Sequence, residues 1–123
     1  MSGAQQRHPF LDDLAQNVTL VSSILRLPVS GRDAVLQVVK AGAGLYLEQT
    51  PTFLGTVDGR TFFEYDVVLA GAERASGLVS IRRDANNEVT DLHIAFSPLG
   101  AVLSLASGMK TALGADFAAN LFL

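Results

Sequence analysis

Residues 50–97 read TPTFLGTVDGRTFFEYDVVLAGAERASGLVSIRRDANNEVTDLHIAFS, and apolar side chains alternate with others over 62–69 and 74–82. Strict alternation is the pattern of a β-strand whose two faces meet different surroundings. Turn sequences separate the strands at Asp58-Gly59, at 71–73 and at 84–87. This stretch therefore predicts long antiparallel strands that follow one another in chain order.

Each hairpin can be paired about its turn, and residues directly opposite each other then share a face of the sheet. Pairing about 71–73 places Tyr65 opposite Val79 and Phe63 opposite Ile81, and pairing about 84–87 places Val79 opposite Leu92. Both hairpins predict one apolar face, made of Phe63, Tyr65, Val67, Leu69, Ala75, Gly77, Val79, Ile81, Leu92, Ile94 and Phe96. The other face is mixed and carries Phe62, Glu64, Asp66, Val68, Ser76, Leu78, Ser80, Asp91, His93 and Ala95.

The segments outside these strands predict helices, because apolar residues recur there at helical spacing. Ser30 and Asp33 have the spacing of a capping box at the start of one of them. The additional predicted elements are a short helix over 9–16, a strand over 18–25, a helix from 31 to 42, an extended segment over 45–56 and a helix over 99–113. The whole is an α+β fold in which helices cover the apolar face.

The chain has 123 residues, of which 49% are apolar and 17% are charged, and this suits a single domain over 1–123. Residues 1–7 are small and polar, and we expect them to be disordered. So few charges leave apolar surface uncovered, which favours an oligomer. The net charge of −3 and the lack of a basic stripe argue against a nucleic-acid partner.

The chain contains no cysteine, which excludes disulfides, thiolate metal ligands and a cysteine nucleophile. The N-terminal residues show no secretory signal, and the apolar run over 99–113 is shorter than the ~20 residues that span a membrane. We therefore expect a cytoplasmic protein with no membrane partner. Because His, Asp and Glu are scattered, we expect no metal site and no cofactor.

Four short motifs follow this element order: QNVT at 16–19, GRDAV at 31–35, NNEV at 86–89 and FSPL at 96–99. With them the chain resembles the nuclear transport factor 2-like (NTF2-like) superfamily, and within it the SnoaL-like branch, over about residues 10–100. The resemblance implies a cystatin/NTF2-like cone, in which a curved antiparallel sheet wraps around helices and encloses a pocket. Here the N-terminal helix is shortened and a C-terminal helix follows the sheet. The resemblance also implies a homodimer through the outer sheet face.

The resemblance does not extend to the catalytic residues of the superfamily's ketosteroid isomerases. Those enzymes place an aspartate base where this chain has Ser22 and a second acid where it has Val79. Serine cannot act as a carboxylate base and valine cannot donate a hydrogen bond, so that isomerase mechanism is not expected. The Asp-Arg-Asp set of the related epoxide hydrolases cannot be assembled from the predicted inward residues either.

Two residues are candidates for an acid–base group. Tyr65 carries a polar hydroxyl in the middle of the apolar face, where it orients a ligand or simply packs in the core. Pairing about Asp58-Gly59 turns Glu48 inward together with Thr50, Thr52 and Leu54, and Glu48 is then the sole inward carboxylate. It is a candidate general base, and the alternative is a solvated strand end.

The remaining candidates serve binding. Ser22 is placed to hydrogen-bond a ligand and Tyr46 to close the pocket mouth, and both have a structural alternative. His93 and Asp66 share the outer face, where packing at a subunit interface is favoured over a metal site. The predicted pocket residues are Ser22, Tyr46, Glu48, Thr52, Phe63, Tyr65, Val79, Leu92 and Phe96.

Three functions stay open at this stage. The first is a binding domain for a small hydrophobic metabolite, favoured by the apolar inward face and the missing acid and base. The second is an enzyme on a polyketide- or steroid-like substrate, a cyclase, isomerase, dehydratase or hydrolase that uses Glu48 or Tyr65. The third is a dimeric interaction subunit without a ligand.

Overall fold

A mixed sheet of six strands forms the body of the computed structural model, which describes residues 10–118 and 120–123. The residues that we expected to be disordered, 1–7, lie outside the described residues. In chain order the strands and helices are β1 Leu14–Ser22, β2 Val29–Ser30, α1 Arg32–Ala43, β3 Glu48–Val57, β4 Arg60–Val68, β5 Arg74–Arg83, β6 Val89–Ser97 and α2 Leu99–Leu113.

The order of strands across the sheet is β2-β1-β6-β5-β4-β3. All neighbouring strands are antiparallel except β1 and β6, which run parallel. The expectation of an antiparallel sheet is therefore wrong at this one junction. Hairpin turns force antiparallel pairing within β3–β6, whereas β1 and β6 are joined through most of the chain, so no turn sets their relative direction. The α+β class and the curved cystatin/NTF2-like sheet are confirmed.

The two central hairpins have the predicted faces with a different register. Tyr65 lies opposite Gly77, and Phe63 lies opposite Val79. Val79 in turn lies opposite Ile94, and a one-residue bulge between Arg82 and Arg83 accounts for part of the difference near the turn. Each register differs from the predicted one by two residues, and because side chains alternate with a period of two, the apolar face keeps its members.

The register of β3 changes in its middle. Leu54 lies opposite Phe63, as the pairing about Asp58-Gly59 requires, but a bulge between Pro51 and Phe53 inserts one extra residue. Beyond the bulge Pro51 lies opposite Tyr65 and Glu48 lies opposite Val68. The inward and outward positions are therefore exchanged in this half of the strand, and the predicted inward direction of Glu48 is wrong.

The predicted helix over 9–16 is replaced by a 3-10 turn at Leu11–Asp13, after which β1 begins at Leu14. Tertiary contacts hold this segment extended. The Arg32 Nε donates a hydrogen bond to the Leu14 carbonyl oxygen at 3.1 Å. The Arg83 guanidinium pairs with the Asp13 carboxylate at 3.1 Å. The predicted helix rested on the spacing of only three apolar residues. A helix of that length has too little stability of its own to compete with these tertiary interactions.

Helices α1 and α2 cover the inner face of the sheet and form the core with it. Val35 and Val38 of α1 are buried, as are Leu105 and Met109 of α2. The helices meet at Gly42, where a Cβ atom would lie 3.9 Å from the Met109 Sδ, an ordinary packing distance. No helix among residues 10–118 and 120–123 is long and apolar enough to cross a membrane. The chain end returns to this core, where Phe122 is 2% exposed and bridges to Leu25.

Candidate functional site

A cavity of about 550 Å³ lies between the inner face of the sheet and α1. Strands β1, β3, β4, β5 and β6 and the C-terminal half of α1 all contribute to its wall. The lining residues are Phe10, Leu20, Ser22, Ile24, Val38, Val39, Gly42, Ala43, Tyr46, Gln49, Pro51, Phe53, Leu54, Phe63, Glu64, Tyr65, Val79, Ile94 and Phe96. Most of these side chains are aliphatic or aromatic, which is the usual composition of a small-molecule site.

One side of the cavity is a row of aromatic rings. The ring centroids of Phe10 and Phe63 are 5.8 Å apart, and those of Phe63 and Tyr65 are 6.2 Å apart. Tyr46 continues the row, with its centroid 5.9 Å from that of Tyr65. These separations lie in the range of favourable tilted aromatic pairs. The row gives the cavity a stiff apolar wall that carries hydroxyl groups at one end.

The two tyrosines meet through their hydroxyl groups. The Tyr46 Oη lies 3.1 Å from the Tyr65 Oη, and either hydroxyl can be the donor. Burial raises the pKa of Tyr46, and the neighbouring Tyr65 raises it further. Burial also raises the pKa of Tyr65, while its hydrogen bond with Tyr46 partly lowers it. Both groups are therefore neutral at physiological pH, and the acceptor of the pair keeps its own proton for a ligand.

The position of the Tyr65 ring depends on Gly77, the residue directly opposite Tyr65 on β5. A Cβ atom at residue 77 would lie 2.6 Å from the Tyr65 Cζ and 2.8 Å from its Oη. Any side chain larger than hydrogen would displace this ring. The glycine thus allows the ring to lie across the neighbouring strand and to bring its hydroxyl to Tyr46.

Ser22 lies at the end of β1, where its side chain lines the cavity and is 7% exposed. Its Oγ accepts a hydrogen bond of 3.4 Å from the Ile24 backbone N–H. The neighbouring Ser23 is engaged differently, since its Oγ accepts a 2.8 Å hydrogen bond from the Phe96 N–H. Ser22 therefore retains a hydroxyl proton that can be donated into the cavity.

The structure brings together most of the predicted pocket residues. Those that line the cavity are Ser22, Tyr46, Phe63, Tyr65, Val79 and Phe96. Leu92 does not line it, because it lies buried between Leu20 and Ile81. Glu48 and Thr52 do not line it either, because the β3 bulge turns Glu48 to the outer face and makes Thr52 the residue without a partner. That the cavity binds a ligand stays a prediction.

Three groups of lining residues were missed from the sequence, and the first is Phe10, Leu20 and Ile24 in and beside β1. Gln49 and Pro51 take the inward positions that the predicted register assigned to Thr50 and Thr52. The α1 residues Val38, Val39, Gly42 and Ala43 form part of the wall, although their helical spacing had indicated only core packing. The spacing of the α1 stripe was the available signal, but it cannot distinguish the wall of a cavity from a filled core.

The chemical repertoire of the lining is narrow. Its acidic residue, among those described, is Glu64, which is exposed and lies opposite Phe53 and Leu78 on the outer face, so its carboxylate does not face into the cavity. No histidine, lysine or arginine lines the cavity among the residues that the structure describes. In the same part of the chain no group of three or more His, Asp or Glu residues is close enough to hold a metal ion. The wall can thus donate hydrogen bonds from neutral hydroxyls, but it lacks a buried base.

No protein-family model matches the sequence, and no curated protein matches it at a significant level. Solved structures match it closely in shape. An uncharacterised protein with a cystatin-like fold from Silicibacter pomeroyi has a TM-score of 0.79 at 18% identity, covering 86% of this chain and 74% of that one.

A steroid delta-isomerase from Pseudomonas aeruginosa has a TM-score of 0.78 at 15% identity, covering 85% of this chain and 77% of that one. A protein of the SnoaL-like family from Agrobacterium tumefaciens has a TM-score of 0.56 at 10% identity, covering 71% of this chain and 76% of that one. At such identities the likeness concerns the fold alone. The chain therefore has the NTF2-like fold, the fold that cystatin-like, SnoaL-like and ketosteroid isomerase-like structures share.

Proposed function

We propose that this protein binds a small, mainly apolar molecule in the cavity between the sheet and α1, and that the hydroxyl pair of Tyr46 and Tyr65 orients it. The observation that carries this proposal is an apolar cavity of about 550 Å³ with neutral hydrogen-bond donors in its wall. Cavities that bind small molecules in proteins occupy roughly 300–1,000 Å³. The cavity is thus large enough for a metabolite of several fused rings.

The polar groups of the wall favour a ligand with an uncharged acceptor. A carbonyl or ether oxygen at the tyrosine pair would receive the hydroxyl proton that the pair does not use internally. An anionic group would find no cationic side chain in the described lining, and burial of an unpaired charge is costly. The steroid substrate named for the Pseudomonas aeruginosa neighbour has this chemistry, and it supplies a test compound for this chain.

Binding is favoured over catalysis because the described lining offers donors without a base. Tyr46 and Tyr65 can polarise a ligand carbonyl, as donors do in enzymes that stabilise an oxyanion. Proton abstraction needs a basic group within reach of the ligand, and the one carboxylate in the lining is exposed. An isomerase, cyclase or hydrolase is therefore the second candidate, and the tyrosine pair is the observation that supports it. A cytoplasmic location also stays a proposal, supported by the absence of cysteine.

Progesterone, a neutral apolar ketone, is a suitable probe for isothermal titration calorimetry. We expect saturable binding with a negative heat-capacity change, because apolar surface is buried. Tyr65→Phe should weaken binding roughly two- to tenfold, the effect of one lost neutral hydrogen bond. Val39→Phe should abolish binding, because the larger side chain enters the cavity from α1. Glu48→Gln is the matched control and should leave affinity unchanged, since Glu48 faces outward.

The absence of saturable binding, or undiminished binding by the Val39→Phe variant, would contradict the proposal. The second candidate is distinguished with the unconjugated β,γ-unsaturated isomer of progesterone as the probe, because progesterone itself is already a conjugated ketone. Conversion of that isomer to progesterone above the rate in buffer, lost in Tyr65→Phe with binding retained, would make the protein an enzyme.

A further inference from the structure

The outer face of the sheet holds a second depression, on the side opposite the cavity. This outer groove has a volume of about 310 Å³ and is lined by Thr19, Val21, Arg60, Ser80, Arg82, Asp91, Leu92 and His93. Strands β1, β4, β5 and β6 form its floor. In contrast to the cavity, most of its lining side chains are polar or charged. Nothing in the proposed function uses these residues.

Two arginines meet directly across the strands in this groove. Arg60 of β4 lies opposite Arg82 of β5, and both side chains are exposed. Like charges directly opposite each other on a sheet destabilise it. Within the described part of the chain neither guanidinium has an ion-pair partner. The pair therefore concentrates positive charge at one spot of a chain whose net charge is negative.

The neighbouring groups do not neutralise this charge. Asp91 lies opposite Arg82, but its Oδ2 accepts a 3.1 Å hydrogen bond from the Thr90 hydroxyl and makes no ion pair with the arginine. The other polar neighbours are hydrogen-bond donors. The hydroxyls of Thr19 and Ser80 and the ring N–H of His93 line the same groove. Two guanidiniums and several neutral donors thus surround a single carboxylate.

We propose that this groove binds a phosphate group, either as the free ion or as the monoester of a small molecule. Arginine guanidiniums bind phosphate oxygens through two parallel hydrogen bonds, and two arginines on adjacent strands can share one tetrahedral anion. The anion would relieve the repulsion between Arg60 and Arg82, and the hydroxyl and imidazole donors would saturate its other oxygens. The groove volume lies at the lower end of the range for small-molecule sites, which leaves room for an organic part.

The test is an NMR titration of the ¹⁵N-labelled protein with inorganic phosphate at constant ionic strength, with sodium chloride as the baseline. We expect saturable shifts in the backbone amides of Ser80, Arg82 and His93, and no comparable shift around the cavity. A parallel titration with glycerol phosphate distinguishes the two sources. Tighter binding of glycerol phosphate identifies a phosphate monoester as the ligand, and equal affinity identifies the free ion.

Arg60→Gln and Arg82→Gln should each weaken phosphate binding at least roughly tenfold, as expected for a lost charge-assisted hydrogen bond. Arg74→Gln is the matched control, because Arg74 lies on the same strand and the same face at the other end of β5. Asp91→Asn should strengthen binding by removing the competing carboxylate, a gain that damage to the fold would not produce.

Three outcomes would overturn the proposal. One is the absence of saturable shifts, and another is an equal loss of affinity in Arg74→Gln. The third is a set of concentration-dependent shifts at Arg82 and His93 without phosphate, because carboxylates of a second copy would then occupy the arginines.

Discussion

At the scale of single residues, the character of the cavity depends on Tyr46, Tyr65 and Gly77. The tyrosines supply the hydroxyl groups of the wall, and the glycine makes space for one of their rings. These two are the only tyrosines of the chain, which has no tryptophan. Phenolate absorbance therefore reports on this pair alone.

The raised pKa values of Tyr46 and Tyr65 predict a loss of stability at alkaline pH. An unfolded tyrosine ionises near pH 10, whereas the buried pair keeps its protons, so the unfolded state loses protons first as pH rises. The contribution of the pair is fully present below about pH 10 and decreases above it by at most about 1.4 kcal/mol per pH unit for each tyrosine.

Absorbance at 295 nm and urea denaturation, both measured from pH 8 to 12, check this expectation. Phenolate absorbance should appear only together with unfolding, and Tyr46→Phe should lessen the dependence of stability on pH. Ionisation of both tyrosines with a midpoint near pH 10, the ordinary value, in a folded protein would refute the burial of the pair.

Gly77→Ala is expected to lower the free energy of unfolding by about 1–3 kcal/mol, because the added methyl group overlaps the Tyr65 ring. The same change at Gly100 is the control, since nothing lies within 4 Å of a Cβ atom there, and in α2 it should be neutral or stabilising.

A double-mutant cycle with Tyr65→Val assigns the cost to this contact. Once the ring is removed, Gly77→Ala should cost little in urea denaturation. An unchanged penalty in the Tyr65→Val background would place the cause elsewhere.

At the scale of elements, strands β4, β5 and β6 were predictable because alternation and turn residues are signals carried by neighbouring residues. Alternation in 62–69 and 74–82 identifies two faces, and a register error of two residues leaves those faces intact. The Ser30–Asp33 spacing predicted a helix close to the observed start of α1 at Arg32, but the capping box itself is wrong, because the N-cap is Gly31 without a side-chain hydrogen bond and the Ser30 Oγ lies 3.4 Å from the Thr19 Oγ1. These features depend on neighbouring residues only, so a single sequence reveals them.

Features that depend on distant contacts were not predictable. Strands β1 and β6 are the first and the last strand along the chain, and no turn specifies their parallel pairing. The bulge between Pro51 and Phe53 reversed the facing of Glu48, and proline is a residue that edge strands and bulges accommodate. The cavity exists because α1 is held at a distance from the inner face of the sheet. The apolar stripe of a helix does not reveal how large that distance is.

The C-terminal segment after α2 is expected to be a structural element in its own right. Phe122 is 2% exposed, and its ring packs edge-on against Phe117 with centroids 6.2 Å apart. Phe122→Ala should therefore destabilise the protein by about 3–5 kcal/mol in urea denaturation. Phe53→Ala, which removes a ring that is 54% exposed, should cost far less. Equal effects of the two substitutions would show that the segment is dispensable.

At the scale of the whole molecule, the sheet separates two surfaces of different chemistry. The inner surface encloses the cavity, and the outer surface carries the charged groove and, outside that groove, an apolar middle around Leu78, which is 41% exposed. The homodimer through the outer face stays a prediction, and this apolar middle is its physical basis.

Leu78→Lys places a charge in that middle and should shift a dimer to the monomer in sedimentation at micromolar concentration. Glu48→Lys makes the same kind of change at the margin of the face and should have a weaker effect. A wild-type protein that sediments as a monomer at micromolar concentration would rule out the dimer.

The bulge in β3 also has a genetic consequence. This strand pairs with β4 on one side only, so its length can change without disturbing the rest of the sheet. Loss of the single codon for Thr52 would remove the bulge and leave the cavity wall unchanged, because Pro51 already lies opposite Tyr65 and Phe53 opposite Glu64. Glu48 would keep its outward position opposite Val68. Relatives of this chain can therefore differ in length by one codon at this point of the edge strand and still present the same side chains to the cavity.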